Sequence, residues 1–179
     1  MIMFRWLYLI SLYFVSGNVS ADNFSFYSKE PLNLYSDHWW DSLPFSGKKE
    51  ALLIHDIFIV SFDLDKKFPA WIAYKLSPAL VWGKLKAERK YVKDPLLSSG
   101  SSLVYKDWAG ASNCDGTVKQ GYDKAHLAPL GSFKFSPFSY QAQYLTNIVP
   151  QRRNFNQGPW RYLEERVRAF VKKGNEVKI

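Results

Sequence analysis

Cysteine is nearly absent from this sequence, since Cys114 is the only one among 179 residues. A single thiol excludes an intrachain disulfide, and it excludes a zinc site built from cysteine pairs. A catalytic thiol needs a neighbouring base, and nothing adjacent to Cys114 in the stretch SNCDGT supplies one. We therefore interpret Cys114 as a structural residue or an unused thiol.

Two metal-site signatures and an acidic surface are missing as well. The sequence has no HExxH pair and no dense cluster of Asp and Glu, which argues against a zinc hydrolase and against a two-metal nuclease. It carries 16 Asp and Glu against 24 Lys and Arg, a formal net charge of +8. Such a surface attracts polyanions, and charge alone leaves open nucleic acid, anionic lipid and acidic glycan.

Long apolar runs are missing beyond the start of the chain. The run Trp6–Val15 is too short to cross a bilayer, which needs roughly twenty residues. It follows Arg5 and precedes the small residues Val19-Ser20-Ala21, an arrangement typical of a secretory signal peptide. We predict a signal peptide at residues 1–21 and a secreted or periplasmic protein without stable membrane association after cleavage. An uncleaved membrane anchor is the alternative.

The remaining residues suffice for one domain with a core rich in aromatic side chains, which make up 17% of the sequence. Residues 22–50 show no clear period, and we assign them to an N-terminal arm. Within a domain at 51–179, β-branched and aromatic runs predict strands at Leu52–Ile54, Phe58–Phe62 and Ala70–Leu76. Residues 94–121 are rich in Gly, Ser, Asp and Asn, which predicts loops.

The last third predicts a helix over residues 158–173, because Pro159 suits the first helical position and Gly174 suits the stop. Apolar residues at three- and four-residue steps predict one buried stripe: Trp160, Leu163, Val167, Phe170 and Val171. Polar residues on another stripe can converge on one patch: Arg161, Glu164 and Arg168. A weaker helix is predicted over residues 137–143, capped by Ser136.

Two polar segments carry the chemistry that this sequence offers. Residues 122–129 (YDKAHLAP) place His126 beside an acidic and a basic residue, and residues 144–164 hold two asparagines around a Pro-Gln turn before a helix with Glu and Arg. Phosphodiester hydrolysis needs a base for water, a cation at the phosphate and positive side chains for the developing charge. Amide oxygens suit Mg²⁺, which keeps several waters and needs only one or two protein ligands.

These segments resemble the DNA/RNA non-specific endonuclease family, the His-Asn ββα-metal nucleases. The family signature is Asp-Arg-Gly-His followed by a hydrophobe, Ala and Pro, then Tyr-Leu-Ser-Asn-Ile-x-Pro-Gln, then Leu-Asn-x-Gly-x-Trp with a Leu-Glu on the helix. The matching segments here are Asp123–Pro129, Tyr144–Gln151, Phe155–Trp160 and Leu163-Glu164. Upstream, Arg89–Pro95 is similar to the family's Arg-rich segment ending in Asp-Pro, and Trp71–Leu76 is similar to its Trp-x-Ala-Tyr strand.

The resemblance covers residues 51–179 and implies an α+β fold, with a ββα-metal unit on a mixed or antiparallel central sheet. It implies hydrolysis of phosphodiester bonds in DNA and RNA without strong sequence preference, with Mg²⁺ as cofactor and Mn²⁺ as a substitute. The chain ends in Glu176-Val177-Lys178-Ile179, which looks like the start of a strand, where the family continues with further strands. We therefore expect a C-terminally truncated sheet, or one completed in another way.

The resemblance also implies roles for individual residues. His126 would be the general base that takes a proton from the attacking water. Asn156 would be the direct metal ligand, and Glu164 would hold metal-bound water. Asn147 would help to orient the site and His126.

Phosphate contacts are implied at three positions, with two departures from the signature. Arg89 and Arg168 would contact phosphate and stabilise charge in the transition state, and Lys124 would bind substrate. Lys124 stands where the family has Arg, so the charge is kept and the planar fork is lost. Ala125 replaces the family's Gly, and a positive φ there would strain it.

Those departures and the short C-terminus motivate an alternative, a catalytically impaired nucleic-acid-binding relative. A third hypothesis is a basic protein that acts at anionic surfaces without chemistry. Single residues also have structural interpretations, since Asn156 could cap the helix, while Glu164 and Arg168 could form an ordinary i,i+4 pair. Arg152 and Arg153 could be exposed turn residues or phosphate contacts, and the two other histidines, at 38 and 55, are interpreted as structural.

Overall fold

The computed structural model of the chain describes residues 24–28, 50–83, 90–97 and 121–179. The predicted signal peptide, most of the predicted arm, Arg89, Cys114 and most of the predicted loop region lie outside these ranges. No helix within the described ranges is long and apolar enough to cross a membrane.

A four-stranded mixed sheet forms the N-terminal part of the fold. Its strands are β1 (Phe24–Ser28), β2 (Glu50–Ile54), β3 (Ile59–Asp63) and β4 (Phe68–Ala73), and they lie side by side in chain order. β1 runs parallel to β2, whereas β2, β3 and β4 pair antiparallel. The strands predicted near residues 52–54 and 58–62 are confirmed, and β1 is a strand that no period in the sequence indicated.

The strand predicted over residues 70–76 is divided in two. β4 ends at Ala73, and β5 (Lys75–Leu76) pairs antiparallel with β8 (Val177–Lys178). Tyr74 joins this pairing, since its N–H donates to the carbonyl of Ile179 at 2.9 Å and its carbonyl accepts from the Ile179 N–H at 3.0 Å. The strand expected at residues 176–179 is therefore present, and it pairs back onto the middle of the chain.

The sheet buries apolar side chains on both faces, and alternation along β2 decides which face each residue takes. Leu52 and Ile54 pack with Ile59 in one cluster, against which Trp71 is packed. The other face contributes to the main core of the described residues, whose largest members include Phe58, Phe62, Leu53, Phe133, Leu145, Ile148 and Val171. Each such side chain stabilises the fold by about 1.5–3 kcal/mol.

Three helical segments follow: α1 (Pro78–Val81), the single turn α2 (Arg153–Phe155) and α3 (Arg161–Lys172). The predicted helix at residues 158–173 begins later than expected, because residues 156–160 form a wide π-type turn in which Gly158 has φ −108° and ψ −106°. Its C-terminal stop is as predicted, since Gly174 adopts φ +98°.

The prediction of one buried apolar stripe on α3 is wrong. Val171 is buried, but Leu163 and Phe170 are more than half exposed, at 53% and 52%. At ~100° per residue these two lie about 80–100° around the helix from Val171. α3 therefore packs through a narrow edge and keeps one flank in solvent.

The weaker helix predicted over residues 137–143 is a short 3₁₀ helix, Ser139–Gln143. The prediction that Ser136 caps this helix is wrong, because Phe138 is the N-cap residue and no side chain caps the helix; the Ser136 hydroxyl instead accepts a hydrogen bond from the Phe138 N–H at 3.1 Å. Two further 3₁₀ turns lie nearby, Leu130–Ser132 and Leu145–Asn147.

Candidate active site

A β-hairpin and a helix build the site. β6 (Tyr122–His126) pairs antiparallel with β7 (Ile148–Arg152) in a register that places His126 opposite Ile148. α3 follows β7 after the α2 turn and the wide turn at Gly158. This order of two strands and one helix forms the wall of a pocket of about 800 Å³.

The pocket brings together five of the residues that the sequence singled out. Its lining includes His126, Lys124, Asn156, Glu164 and Arg168. Around the helix axis, at ~100° per residue, Glu164 and Arg168 lie about 20° and 60° from the buried Val171, on the side away from the exposed Leu163, which explains why they reach the pocket. Further lining residues include Tyr91, Asp123, Lys134, Gln157, Arg161 and Glu165.

His126 is held at one ring nitrogen by a buried amide. Its Nε2 lies 3.3 Å from Oε1 of Gln143, which is 2% exposed. Because an amide oxygen only accepts, a hydrogen bond here requires the neutral ring to carry its proton on Nε2, which would leave Nδ1 as the basic nitrogen. The Tyr91 ring lies beside the imidazole, with 5.9 Å between the ring centroids.

Tyr91 and Gln143 belong to two segments that are fixed to each other. Val92 forms a parallel bridge with Tyr144. The Val92 N–H donates to the Gln143 carbonyl at 3.1 Å, and the Leu145 N–H donates to the Val92 carbonyl at 3.0 Å. The two side chains that flank His126 are therefore placed by one backbone connection.

A buried polar cluster reinforces this connection. The Asp94 carboxylate binds His55 Nε2 at 2.9 Å and accepts hydrogen bonds from the Thr146 hydroxyl and, at 2.9 Å, the Leu96 N–H. Burial disfavours the charged form, but these hydrogen bonds, led by the one from His55, hold the pKa of Asp94 below its ordinary value. His55 is thus engaged in packing segments together, as the sequence suggested.

Asp123 gathers three side chains at the pocket floor. Its Oδ2 accepts from Asn156 Nδ2 at 3.0 Å and from Gln157 Nε2 at 2.9 Å, and its Oδ1 accepts from Arg153 Nε at 3.0 Å. Partial burial opposes ionisation, but the hydrogen bonds from Asn156, Arg153 and Gln157 keep the pKa of Asp123 below its ordinary value. The carboxylate is therefore ionised and well satisfied.

Two ion pairs lie along the helical wall. Arg168 and Glu164 are 3.5 Å apart and both mostly buried, whereas Arg161 and Glu165 form an exposed pair at 2.8 Å. Burial raises the pKa of Glu164, and the neighbouring Arg168 only partly opposes this. α3 thus presents two pairs of opposite charges to the pocket, Arg168 with Glu164 and Arg161 with Glu165.

Asn147 lies behind the pocket and not in its lining. It lies at the end of the 3₁₀ turn Leu145–Asn147, directly before β7 starts at Ile148. The side chain is fully buried, accepts from the Ala128 N–H at 2.7 Å and donates to the carbonyls of Ala128 and Ala142 at 3.0 and 2.9 Å. It fixes the backbone that follows His126 rather than touching the imidazole.

The donor chemistry of the pocket fits a hard divalent cation. An ionised carboxylate only accepts hydrogen bonds, so the Asn156 Nδ2 donates to Asp123. The amide oxygen of Asn156 therefore points away from Asp123. Across the described ranges, no three His, Cys, Asp or Glu residues group as a metal site. The lining does offer amide and carboxylate oxygens, which are ligands that suit a hard divalent cation.

Arg89 lies outside the described residues, so its predicted role stays a prediction. Ala125 is buried in β6. Among the non-glycine residues of the described ranges, the one with a positive φ is Lys67, so Ala125 does not have the positive φ that would strain it. Sequence reasoning gave no role to Asp123, Tyr91 or Gln143. Asp123 carried a signal as the first residue of the family signature, and Tyr91 lies within the matched segment Arg89–Pro95, whereas Gln143 had none.

Two paired strands and a helix around a pocket lined by His126 and Asn156 form a ββα-metal unit, the class to which this fold belongs. A family model described as DNA/RNA non-specific endonuclease matches residues 41–179, beginning inside the segment assigned to the arm. The chain belongs to the DNA/RNA non-specific endonuclease family.

Individual relatives agree with this. The nuclease of Serratia marcescens is 29% identical over 131 residues, which cover 72% of this chain and 46% of that protein. The mitochondrial nuclease EXOG of Mus musculus is 32% identical over 124 residues, which cover 67% of this chain and 31% of that protein. A crystal structure of the EndoG/EndoGI complex shares the fold, with a TM-score of 0.60, 22% identity, and coverage of 71% of this chain and 50% of that one. The chain spans less than half the length of the two relatives.

Proposed function

We propose that this chain is a Mg²⁺-dependent endonuclease that hydrolyses phosphodiester bonds in DNA and RNA without strong sequence preference, with His126 as general base. The observation that supports this proposal most directly is that one pocket on the ββα unit is lined by His126, Asn156, Glu164 and Arg168. Membership of the family supports nucleic acid as substrate and a divalent metal as cofactor. Export by the predicted signal peptide is part of the same proposal.

His126 accepts the proton of the attacking water in this proposal. Gln143 binds the protonated Nε2, which leaves Nδ1 as the basic nitrogen of the neutral ring. The Asn147 hydrogen bonds hold the backbone directly after the histidine, so the imidazole starts from a fixed place. A base already oriented avoids part of the entropic cost of the step.

Positive side chains bind the substrate phosphates. Arg168 lies beside the reacting centre, Lys124 approaches from β6, and Arg89 is proposed to contribute from the preceding segment. Arg161 and Lys134 also line the pocket and extend the basic surface. Contacts to phosphate carry no base information, which accounts for the lack of sequence preference. Binding should weaken steeply with added salt.

The amide oxygen of Asn156 is the proposed direct ligand of the cation, and the Glu164 carboxylate holds water bound to it. When bound, a divalent cation would offset negative charge on the scissile phosphate and the leaving oxygen. Mg²⁺ is the proposed ion, with Mn²⁺ as a substitute, because oxygen ligands in small number suit both.

A catalytically impaired nucleic-acid-binding relative is the second candidate. The observation favouring it is Lys124, which lines the pocket where the family signature has Arg. A lysine offers a point charge without the bidentate fork, so phosphate could be bound with less control over its orientation.

A cleavage assay distinguishes the two candidates. Wild type and His126→Ala are incubated with plasmid DNA and with RNA, each with Mg²⁺ or with chelator, after circular dichroism shows that both are folded. Cleavage only by wild type with Mg²⁺ supports the proposal. Intact polymer in every lane, with DNA still retained in chelator, overturns it and supports the binding relative.

A matched pair of helix variants tests the phosphate contact. Arg168→Ala removes a cation from the pocket, whereas Arg166→Ala removes one that stacks on Tyr162 at 5.9 Å on the same helix. We expect kcat/KM to fall by about 10²-fold for Arg168→Ala and by less than about twofold for Arg166→Ala. Equal losses would show that general charge on α3, and not the pocket position, matters.

A further inference from the structure

Asp123 and its partners form a three-bond connection between the hairpin and the turn that carries Asn156. Asp123 lies on β6, whereas Arg153 begins the α2 turn after β7. The carboxylate receives the Arg153 Nε on Oδ1 and two amide groups on Oδ2. One ion pair and two amide contacts thus converge on a single group at the pocket floor.

The carboxylate decides which way the Asn156 amide faces. A neutral amide can be turned by 180° about its last bond, and the two orientations exchange an oxygen for an NH₂ group. The Asn156 Nδ2 donates to the Asp123 Oδ2 at 3.0 Å, and the opposite orientation would instead bring the amide oxygen against that carboxylate oxygen. The amide oxygen is therefore directed away from Asp123, and Asn156 is one of the residues that line the pocket.

Arg153 holds the Asp123 carboxylate that orients the Asn156 amide. Its N–H donates to the Gly121 carbonyl at 3.0 Å, so its backbone is tied to the start of β6, while its side chain reaches Asp123 on the same strand. The Arg153 and Asp123 side chains are 37% and 19% exposed. This partly buried ion pair offsets the negative charge of the carboxylate and anchors its Oδ1.

We propose that Arg153 is a positioning residue which, through the Asp123 carboxylate, holds the amide oxygen of Asn156 toward the pocket and thereby sets the affinity of the chain for a divalent cation. This inference rests on the proposed function, in which Asn156 is the direct ligand. Arg153 is not among the residues that line the pocket. It differs in this from Arg168, which lines the pocket.

The adjacent Arg152 supplies a matched control. It has the same side chain, is exposed, and lies at the end of β7, where it pairs with Tyr122 and has no bond to Asp123. Arg153→Ala should weaken binding of Mn²⁺ to the protein without DNA by about tenfold, and Asp123→Asn by about 10–100-fold. Arg152→Ala should stay within about twofold of wild type.

Mn²⁺ binding is measured on the full chain by electron paramagnetic resonance and by calorimetry, with Asn156→Ala to identify the site. Melting temperatures in chelator are recorded for every variant, and binding is measured well below the lowest of them. A merely structural Arg153 would lower the melting temperature and leave the Mn²⁺ affinity of the folded protein unchanged. Arg153→Lys, which keeps the charge and loses the planar group, should recover only part of the affinity.

The outcomes separate this inference from the proposed function. If wild type binds Mn²⁺ and cleaves DNA while Arg153→Ala matches Arg152→Ala in affinity, the positioning role of Arg153 is overturned and the nuclease proposal stands. If wild type and Asn156→Ala bind Mn²⁺ equally, the metal assignment itself is wrong, and both proposals fall. A selective loss in Arg153→Ala and Asp123→Asn supports the inference.

Discussion

Replacing Asn147 by alanine should destabilise the fold strongly, although the residue does not line the pocket. The change removes three buried side-chain hydrogen bonds and leaves the Ala128 N–H without that acceptor. At about 1 kcal/mol for each bond, with a further penalty for the unsatisfied buried group, the free energy of unfolding falls by about 3–4 kcal/mol. For a domain of this size that corresponds to a melting temperature about 6–16 °C lower.

Thermal and urea unfolding monitored by circular dichroism measure this loss, with Asn154→Ala as control. Asn154 is exposed and makes a local hydrogen bond to the following N–H at 2.9 Å, so its removal should cost less than about 0.5 kcal/mol. A melting temperature for Asn147→Ala within about 2 °C of wild type would refute the hydrogen-bond argument. Nuclease activity at a temperature where the variant is folded then reports on the position of His126 alone.

Three further predictions follow from buried polar groups. Asp94→Asn should lower the free energy of unfolding by about 1.5–3 kcal/mol at neutral pH, measured by urea unfolding, because the His55 pair is lost. Since the pKa of Asp94 is lowered in the folded state, the ionised carboxylate stabilises the fold above pH 3.8, and this stabilisation is lost as the pH falls. The difference in unfolding free energy between wild type and Asp94→Asn should therefore shrink in acid, and a difference that stays constant with pH would contradict this. Glu164→Gln should abolish activity and raise the melting temperature by about 1–3 °C at pH 7, because burial raises the pKa of Glu164 and thus disfavours the charged carboxylate in the folded state. The gain in melting temperature should vanish below pH 4.5, where the Glu side chain of wild type is neutral like the Gln of the variant. A lower melting temperature for the variant at pH 7 would count against this prediction. Gln143→Leu should lower kcat about 3–10-fold with KM unchanged, through loss of the hydrogen bond to His126, and an unchanged kcat in steady-state assays would remove Gln143 from the proposed mechanism.

The sequence predicted most of the strands because local alternation and β-branched residues coincide with burial there. Ala70–Leu76 was predicted as one strand because its composition does not change at Tyr74, where the chain moves from the sheet to pairing with β8. β1 has no period of its own and forms by pairing with β2. Long-range pairing of this kind leaves little trace in a local window.

The residues that a spaced signature named lie together in one pocket, whereas contacts that only the folded geometry creates left no signal in the sequence. His126, Asn156 and Glu164 appear in ordered motifs, and they line one pocket. Gln143 reaches His126 only because its segment is bridged to Val92, a contact that no motif records. The buried stripe on α3 failed for a related reason, since apolar spacing does not say how much of a helix face a neighbour covers.

The bridge between residues 90–97 and 143–146 also sets how the pocket can open. Opening the chain at Val92 breaks its bonds to both Gln143 and Leu145, so the amide protons of Val92 and Leu145 should exchange with solvent as one cooperative unit. Tyr91 and Gln143 would leave the imidazole in the same event. This local opening, much smaller than global unfolding, would therefore disorganise the pocket in a chain that is otherwise folded. The free energy of the opening can be measured by amide hydrogen exchange.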